Sequence, residues 1–183
     1  MADFEIKNGV AVIPEGTTTI GDYAFSGCSS LQSITIPEGV TEIGRGAFVG
    51  CSSLQSITIP ESVTEIGYKA FEDCSSLQSI TILEGVTAIG ESAFGGCSSL
   101  QSITIPEGVT EIGRSAFSGC TALTTVTLPV GVNKIDNTSF DKCKALTTIY
   151  VPAKKTDYYK QRLPEKLHSL IVELQPEKKA KKK

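Results

Sequence analysis

The feature that most constrains this fold is an internal repeat of 23 residues. Every unit places a phenylalanine three residues before a cysteine and a leucine three residues after it. The cysteines that mark the register are Cys28, Cys51, Cys74, Cys97, Cys120 and Cys143. A unit this short cannot cover its own apolar face, so successive units must stack to bury it. The repeat therefore predicts a solenoid, in which each unit forms one coil.

Within the unit from Cys51 to Asp73, the order of apolar residues predicts a strand followed by a turn. Leu54, Ile57 and Ile59 have the L-x-x-L-x-L spacing of leucine-rich repeats, with Thr58 pointing outward between the two isoleucines. A proline without an N–H group ends the strand. A second short extended segment follows, and then a helical or 3₁₀ turn on the convex side.

The full pattern, I-P-E-G-V-T-E-I-G-x-x-A-F-x-G-C-S-S-L-Q-S-I-T, resembles the BspA-like class of bacterial leucine-rich repeats over residues 9–152. That resemblance implies a right-handed superhelix with a parallel sheet on its concave face. It also implies a role in protein interaction, which in some members is adhesion to host proteins at a cell surface.

Composition divides the chain into three parts. Residues 1–152 form the solenoid, in which residues 1–27 are an N-terminal cap and a partial first repeat. Residues 153–175, rich in leucine and tyrosine, are expected to form a helical C-terminal cap, and residues 176–183 a disordered basic tail. Charge changes at nearly the same boundary: residues 1–150 hold 7 Lys and Arg against 16 Asp and Glu, whereas the remainder holds 10 against 4.

The outward side chains of the main strand are the candidate binding residues, because this strand lines the concave face of a curved solenoid. They form two columns of hydroxyl side chains that end in a tyrosine. The set is Ser33, Thr35, Ser56, Thr58, Ser79, Thr81, Ser102, Thr104, Thr125, Thr127, Thr148 and Tyr150. Tyr150 has a second interpretation, as a residue that packs under the C-terminal cap.

Catalysis, metal binding and cofactor binding are not expected. The cysteines are interpreted as buried free thiols, with a disulfide-linked ladder as the alternative. His168 is the only histidine and has no partner motif, and no phosphate-binding glycine loop occurs. Two glutamate columns are interpreted as a solvated face, with local pairs Glu42–Arg45 and Glu111–Arg114. A ladder of divalent ions is the alternative, although one carboxylate per coil supplies few ligands.

The sequence thus predicts a non-catalytic protein-interaction scaffold, expected to be monomeric. The alternative is a bacterial cell-surface adhesin whose export signal was removed. As written, the chain lacks a signal-peptide pattern and any apolar run of membrane-spanning length, so a cytoplasmic location is expected, with the cell surface as the alternative. Nucleic acid is not an expected partner, beyond weak electrostatic contact through Lys178–Lys183.

Overall fold

The computed structural model describes residues 5–175, so the predicted basic tail lies outside the described residues. Its strands are short and its helices few. In chain order they are β1 (Ile6–Lys7), β2 (Val10–Val12), β3 (Thr19–Ile20), β4 (Ser33–Thr35), β5 (Glu42–Ile43), β6 (Ser56–Ile59), β7 (Glu65–Ile66), β8 (Ser79–Ile82), β9 (Ala88–Ile89), β10 (Ser102–Thr104), β11 (Glu111–Ile112), β12 (Thr125–Thr127), β13 (Lys134–Ile135), β14 (Thr148–Val151), α1 (Thr156–Lys160), a 3₁₀ helix (Glu165–Leu170) and β15 (Ile171–Glu173).

The main strands lie side by side, one from each coil, and pair in parallel with a register of one repeat. Ile57 of β6 pairs with Ile80 of β8, and Val126 of β12 with Ile149 of β14. The ladder forms three hydrogen-bonded sections, β1-β2-β4, β6-β8 and β10-β12-β14-β15. Backbone hydrogen bonds between the glutamines that precede these strands connect the sections. For example, the N–H of Gln55 donates to the carbonyl of Gln32 in the preceding coil. The row of strands therefore runs the whole length of the solenoid.

A second sheet contains six strands in the order β13-β11-β9-β7-β5-β3, all parallel. Each of these strands contains only two extended residues, such as Glu65–Ile66 in β7. The inward residue of each pair is a buried isoleucine and the outward residue is polar in most coils. The two sheets thus enclose the apolar core from opposite sides of each coil.

The segment between the second sheet and the cysteine is a run of hydrogen-bonded turns rather than a continuous 3₁₀ helix. In the unit from Cys51 to Asp73, the N–H groups of Lys69, Phe71 and Asp73 donate to carbonyls of the next coil at 2.7–2.9 Å. The intervening N–H groups donate within the segment. Lys69 and Asp73 have φ values of 56° and 59°, which turn every second amide toward the neighbouring coil. The predicted helical character is therefore limited to single turns.

Six phenylalanines form the centre of the core and stack from coil to coil. Their ring centroids are 5.0–5.5 Å apart with interplanar angles of 3–8°. The stack consists of Phe25, Phe48, Phe71, Phe94, Phe117 and Phe140, all buried. Offset stacking of parallel rings adds to the free energy of burial, so the phenylalanine column stabilises the stacking of the coils.

The two ends of the solenoid differ from its middle. At the N-terminus β1 pairs antiparallel with β2, with Ile6 opposite Ala11. At the C-terminus residues 153–175, named here the C-terminal segment, are helical only in part: α1 and the 3₁₀ helix are followed by β15, which pairs in parallel with β14. Tyr159, Leu163 and Leu167 of this segment are buried against the core.

Candidate protein-binding face

The predicted binding residues lie together on the outward side of the main strands. Strand alternation buries the central residue and exposes those on either side, as in β4, where Ile34 is buried between Ser33 and Thr35. Register pairing aligns Ser56 with Ser79 and Thr58 with Thr81. Since paired strands lie about 4.8 Å apart, the hydroxyl groups form two regular columns along the face.

Exposure varies along these columns. The serines and threonines of β4, β6, β8 and β10 are exposed, whereas Thr125, Thr127, Thr148 and Tyr150 are half-buried. A shallow groove of ≈ 320 Å³ runs over the first three of these strands and is lined by both columns and by Glu38. The most accessible part of the face is therefore its N-terminal half.

Apolar side chains stand at both ends of the threonine column, and this was not predicted. Val12 pairs in register with Thr35 and is 72% exposed, while Val172 pairs with Tyr150 and is 45% exposed. The alternation of Val10-Ala11-Val12 was the available signal for the N-terminal end. Val172 could not be found from the repeat, because β15 lies outside it.

Tyr150 fits neither of its predicted interpretations completely. Its strand is covered at the edge by β15, and its carbonyl accepts the N–H of Leu128 at 2.9 Å. The residue is half-buried, next to Val172 on the outward side of the sheet. The C-terminal segment thus extends the face beside Tyr150 rather than closing over it.

The glutamate column of the second sheet is arranged differently from the prediction. Neither predicted local pair occurs among the described ion pairs: Glu111 binds Lys134 of the next coil at 2.6 Å instead. The guanidinium of Arg45 lies against the rings of two tyrosines. Glu111 binds Lys134 rather than Arg114 for a geometric reason: register pairing places residues 23 apart directly beside each other, closer than residues three apart across a turn.

The other glutamate column has a partly structural role. The carboxylate of Glu84 accepts the backbone N–H of Glu107 at 2.9 Å, and that of Glu107 accepts the N–H of Val130 at 2.9 Å. Each carboxylate therefore caps the turn of the following coil, which a charge-assisted hydrogen bond stabilises. No group of three or more His, Cys, Asp or Glu within residues 5–175 is arranged to hold a metal ion.

All six cysteines are free thiols, but the prediction that all are buried is wrong for Cys28 and Cys143, which are half-buried in the outermost coils. From Cys51 onward each Sγ donates to a phenylalanine carbonyl of the preceding coil at 3.1–3.2 Å. Burial raises the pKa of Cys97 to about 12 and that of Cys143 to about 11. Cys97 and Cys143 are thus held in the protonated form that is poorly nucleophilic.

His168 contributes to the C-terminal segment rather than to a reactive site. Its Nε2 lies 3.0 Å from the Leu163 carbonyl oxygen, five residues earlier. Within the described residues, no helix combines the length and apolar character needed to cross a membrane.

Comparison with known proteins identifies the class. The sequence matches the family described as BspA type leucine rich repeat region, in 6 copies over residues 7–100 and 65–170. The chain therefore belongs to this family of leucine-rich-repeat proteins. A search of curated proteins gave no match.

Particular solved structures are similar to this chain. A leucine-rich repeat protein of Bacteroides ovatus ATCC 8483 is 32% identical with a TM-score of 0.77, over 91% of this chain and 42% of that protein. A leucine-rich repeat protein of T. pallidum is 33% identical with a TM-score of 0.75, over 87% of this chain and 80% of its own. A protein of Faecalibacterium prausnitzii A2-165, described as a leucine rich cell surface protein, is 28% identical with a TM-score of 0.57, over 82% and 61% respectively.

Proposed function

We propose that this chain is a non-catalytic protein-binding module that holds a partner against the outward side of its main strands. The observation that carries the proposal is the double column of exposed hydroxyl side chains on the main strands β4, β6, β8 and β10. Exposed Val12 and Val172 lie at the two ends of the face. Hydroxyl groups in a regular array donate and accept hydrogen bonds, and the apolar ends add area that a partner can bury.

The arrangement of the reactive side chains supports a non-catalytic role. An active site requires a nucleophile, a base and a stabilising group within hydrogen-bonding reach of one another. The central thiols are buried and bonded to backbone carbonyls, and His168 lies in the C-terminal segment. Family membership agrees, because a repeat scaffold presents an extended surface rather than one enclosed site.

Two substitutions in the middle of the face test the proposal. Thr58→Arg and Thr81→Arg place bulky cations on exposed positions, where they fold without steric conflict but obstruct a partner. The matched control carries Thr87→Arg and Thr110→Arg on the opposite side of the coil, at positions that are also exposed. Proteins retained from a lysate of the native host by the intact chain and by the control should be lost with the first variant. Equal retention by all three chains contradicts the assignment of this face.

A surface adhesin is the second candidate. It is favoured by the similarity to the F. prausnitzii protein that is described as a cell-surface protein. Antibody labelling of intact and permeabilised host cells distinguishes the two candidates: an adhesin is labelled on intact cells, whereas an internal scaffold is labelled only after permeabilisation.

A further inference from the structure

A cluster of tyrosine and arginine side chains interrupts the repeat on the turn side of the second sheet. The guanidinium carbon of Arg45 lies 4.9 Å from the ring centroid of Tyr68 and 5.8 Å from that of Tyr23. The three residues come from three successive coils, and the backbone N–H of Arg45 donates to the Asp22 carboxylate at 2.7 Å. We name this group the Tyr–Arg cluster.

The backbone of the neighbouring coil accommodates the cluster. A Cβ atom at Gly46 would lie 2.6 Å from Cε1 of Tyr23, so the ring rests in space that only glycine leaves open. Tyr23 itself has a φ of 57°, a left-handed conformation that is unfavourable for a bulky residue. Ser92 and Ser115 occupy the same column with φ values near 53°, so the turn itself does not need a tyrosine.

Packing within the chain covers only part of the Tyr23 ring, although Arg45 lies beside it. Tyr23 is 49% exposed, so much of its ring area stays in water. The equivalent columns of later coils have Glu91-Ser92, Arg114-Ser115 and Asn137-Thr138, which contain no aromatic residue. Tyrosine and arginine are enriched among the residues that dominate the binding energy of protein interfaces. The Tyr–Arg cluster therefore has the composition of a binding hot spot, which the hydroxyl columns of the main strands lack.

The charge beside the cluster indicates the kind of partner. A groove of ≈ 470 Å³ adjoins Arg45 and is lined by three carboxylates, those of Asp22, Glu42 and Glu65. Glu42 and Glu65 are register neighbours, and neither has an ion pair among the described residues. Farther along the same row Glu111 is neutralised by Lys134, so the uncompensated acidic part of the row is the part next to the tyrosines.

The remaining surface adds to this field. Residues 5–133 contain 4 Lys and Arg against 13 Asp and Glu, which attracts cationic partners over a distance of about one Debye length. We infer that the Tyr–Arg cluster and its adjoining groove form a second docking surface, which takes a basic segment of a partner protein. A cationic side chain of that segment lies between Glu42 and Glu65, and its neighbours pack on the exposed part of the Tyr23 ring.

Replacement of both tyrosines by residues from the same columns tests this surface without changing charge. Tyr23→Ser and Tyr68→Asn introduce residues that equivalent turns already carry at Ser92, Ser115 and Asn137. The matched control is Val130→Ser, which removes an apolar side chain that is as exposed as Tyr23, 49%, from a turn of a later coil without changing charge. Thermal melting first establishes that the three chains remain folded.

Binding is measured by fluorescence anisotropy at about 0.15 M salt, where exposed charges are screened beyond about 8 Å. The probes are a short, end-blocked peptide of alternating arginine and threonine and the same peptide with glutamate in place of arginine. The intact chain and the control should bind the basic peptide with affinities within about twofold, and the double variant at least about tenfold more weakly. The acidic peptide should bind none of them detectably.

Other results overturn the inference. Equal affinity of all chains for the basic peptide means that the diffuse acidic field, rather than the cluster, binds it. Preference for the acidic peptide means that Arg45 is an anion receptor. Sedimentation of the intact chain without peptide tests whether the surface binds a second copy of the chain. If the intact chain self-associates and the double variant does not, the surface forms contacts between copies instead of binding a basic partner.

Discussion

The central coils and the C-terminal segment both cover the core of the coil before them, but they do so with different residues. In the central coils each core contact is made by the identical residue of the next coil, as with the stacked rings of Phe71 and Phe94. In the C-terminal segment each contact is made once. The hydroxyl of Tyr158 donates to the Val132 carbonyl at 2.8 Å, and Nε of Arg162 donates to the Asn133 carbonyl at 3.2 Å.

The difference shows what a periodic interior requires at its end. A coil in the middle receives hydrogen-bond donors and apolar cover from the coil that follows it, whereas the last coil does not. The C-terminal segment supplies both: the Tyr159 hydroxyl donates to the Pro129 carbonyl and the backbone N–H of Leu174 donates to the Val151 carbonyl, while the Tyr159 and Leu163 side chains are buried. Unique residues replace the missing coil, so we expect the two regions to respond differently to substitution.

Deletion of the C-terminal segment should have the largest effect. A chain ending at Pro152 leaves β14 as an open edge and exposes the apolar side of the last coil, as terminal repeats do without a polar cover. We expect it to aggregate or dimerise in light scattering and to melt several degrees lower than the intact chain. A chain ending at Gln175 is the control and should behave as the intact chain does. A monomeric, equally stable chain ending at Pro152 would show that the last coil needs no cover.

Substitution within the phenylalanine column should come next. Phe71→Ala removes a buried ring between two stacked neighbours, and the adjoining coils prevent the cavity from collapsing. The free energy of unfolding should fall by about 3–5 kcal/mol in denaturant titrations. Phe140 has only one stacked neighbour, Phe117, so Phe140→Ala should cost less. Equal losses at both positions would mean that the stack has no special role in the middle of the array.

Periodicity made most of the fold predictable. The columns of Phe25 and Leu54 are inward and buried, as their spacing indicated, and so is the column of Cys51 except for its outermost members Cys28 and Cys143. The outward alternation around Ile34 and Ile57 follows from strand geometry, and the structure confirms it. These predictions succeeded because a residue repeated in every coil must occupy the same environment in every coil.

Features that occur once were less predictable. The contact of Arg45 with the Tyr68 ring, the strand β15 and the pair Glu111–Lys134 each occur once in the described residues. Leu83 shows the same limit: its N–H donates to the Ile59 carbonyl at 3.1 Å, a bond that the column proline cannot make. A single departure from a repeat does not by itself indicate which neighbour it contacts, so the sequence alone could not assign these roles.

Alkaline pH should separate a central thiol from a terminal one. The pKa of Cys97 is raised from its ordinary 9.0 to about 12, chiefly by burial. The neutral thiol is thus favoured in the folded state, so its contribution to stability is complete below pH 9 and is lost as the pH rises toward 12. Within that window Cys97→Ala should reduce the pH dependence of the unfolding free energy by about 1.4 kcal/mol per pH unit.

Cys143 is the matched comparison for this titration. Its pKa is raised only to about 11, and it is half-buried in the last coil. The window for Cys143→Ala is therefore narrower, from pH 9 to about 11, so the two variants should show similar pH dependences up to about pH 11 and should differ above it, where only the Cys97 contribution continues to change. Denaturant titrations at several pH values between 8 and 12 measure both variants. Identical pH dependences would show that the central and terminal thiols share one environment.

The smallest expected effect concerns a single hydroxyl of the C-terminal segment. Tyr158→Phe keeps the ring, whose centroid is 3.5 Å from the guanidinium carbon of Arg162, but removes the hydrogen bond to Val132. Because the lost donor leaves a carbonyl of the last full coil with one partner fewer, the free energy of unfolding should fall by about 1 kcal/mol. Tyr23→Phe is the control, since its side chain is 49% exposed and no hydrogen bond of its hydroxyl is among those of the described residues, and it should leave stability nearly unchanged. If Tyr158→Phe is equally neutral, the segment holds the last coil by apolar burial alone, and its hydrogen bonds to the backbone are not needed to replace the missing coil.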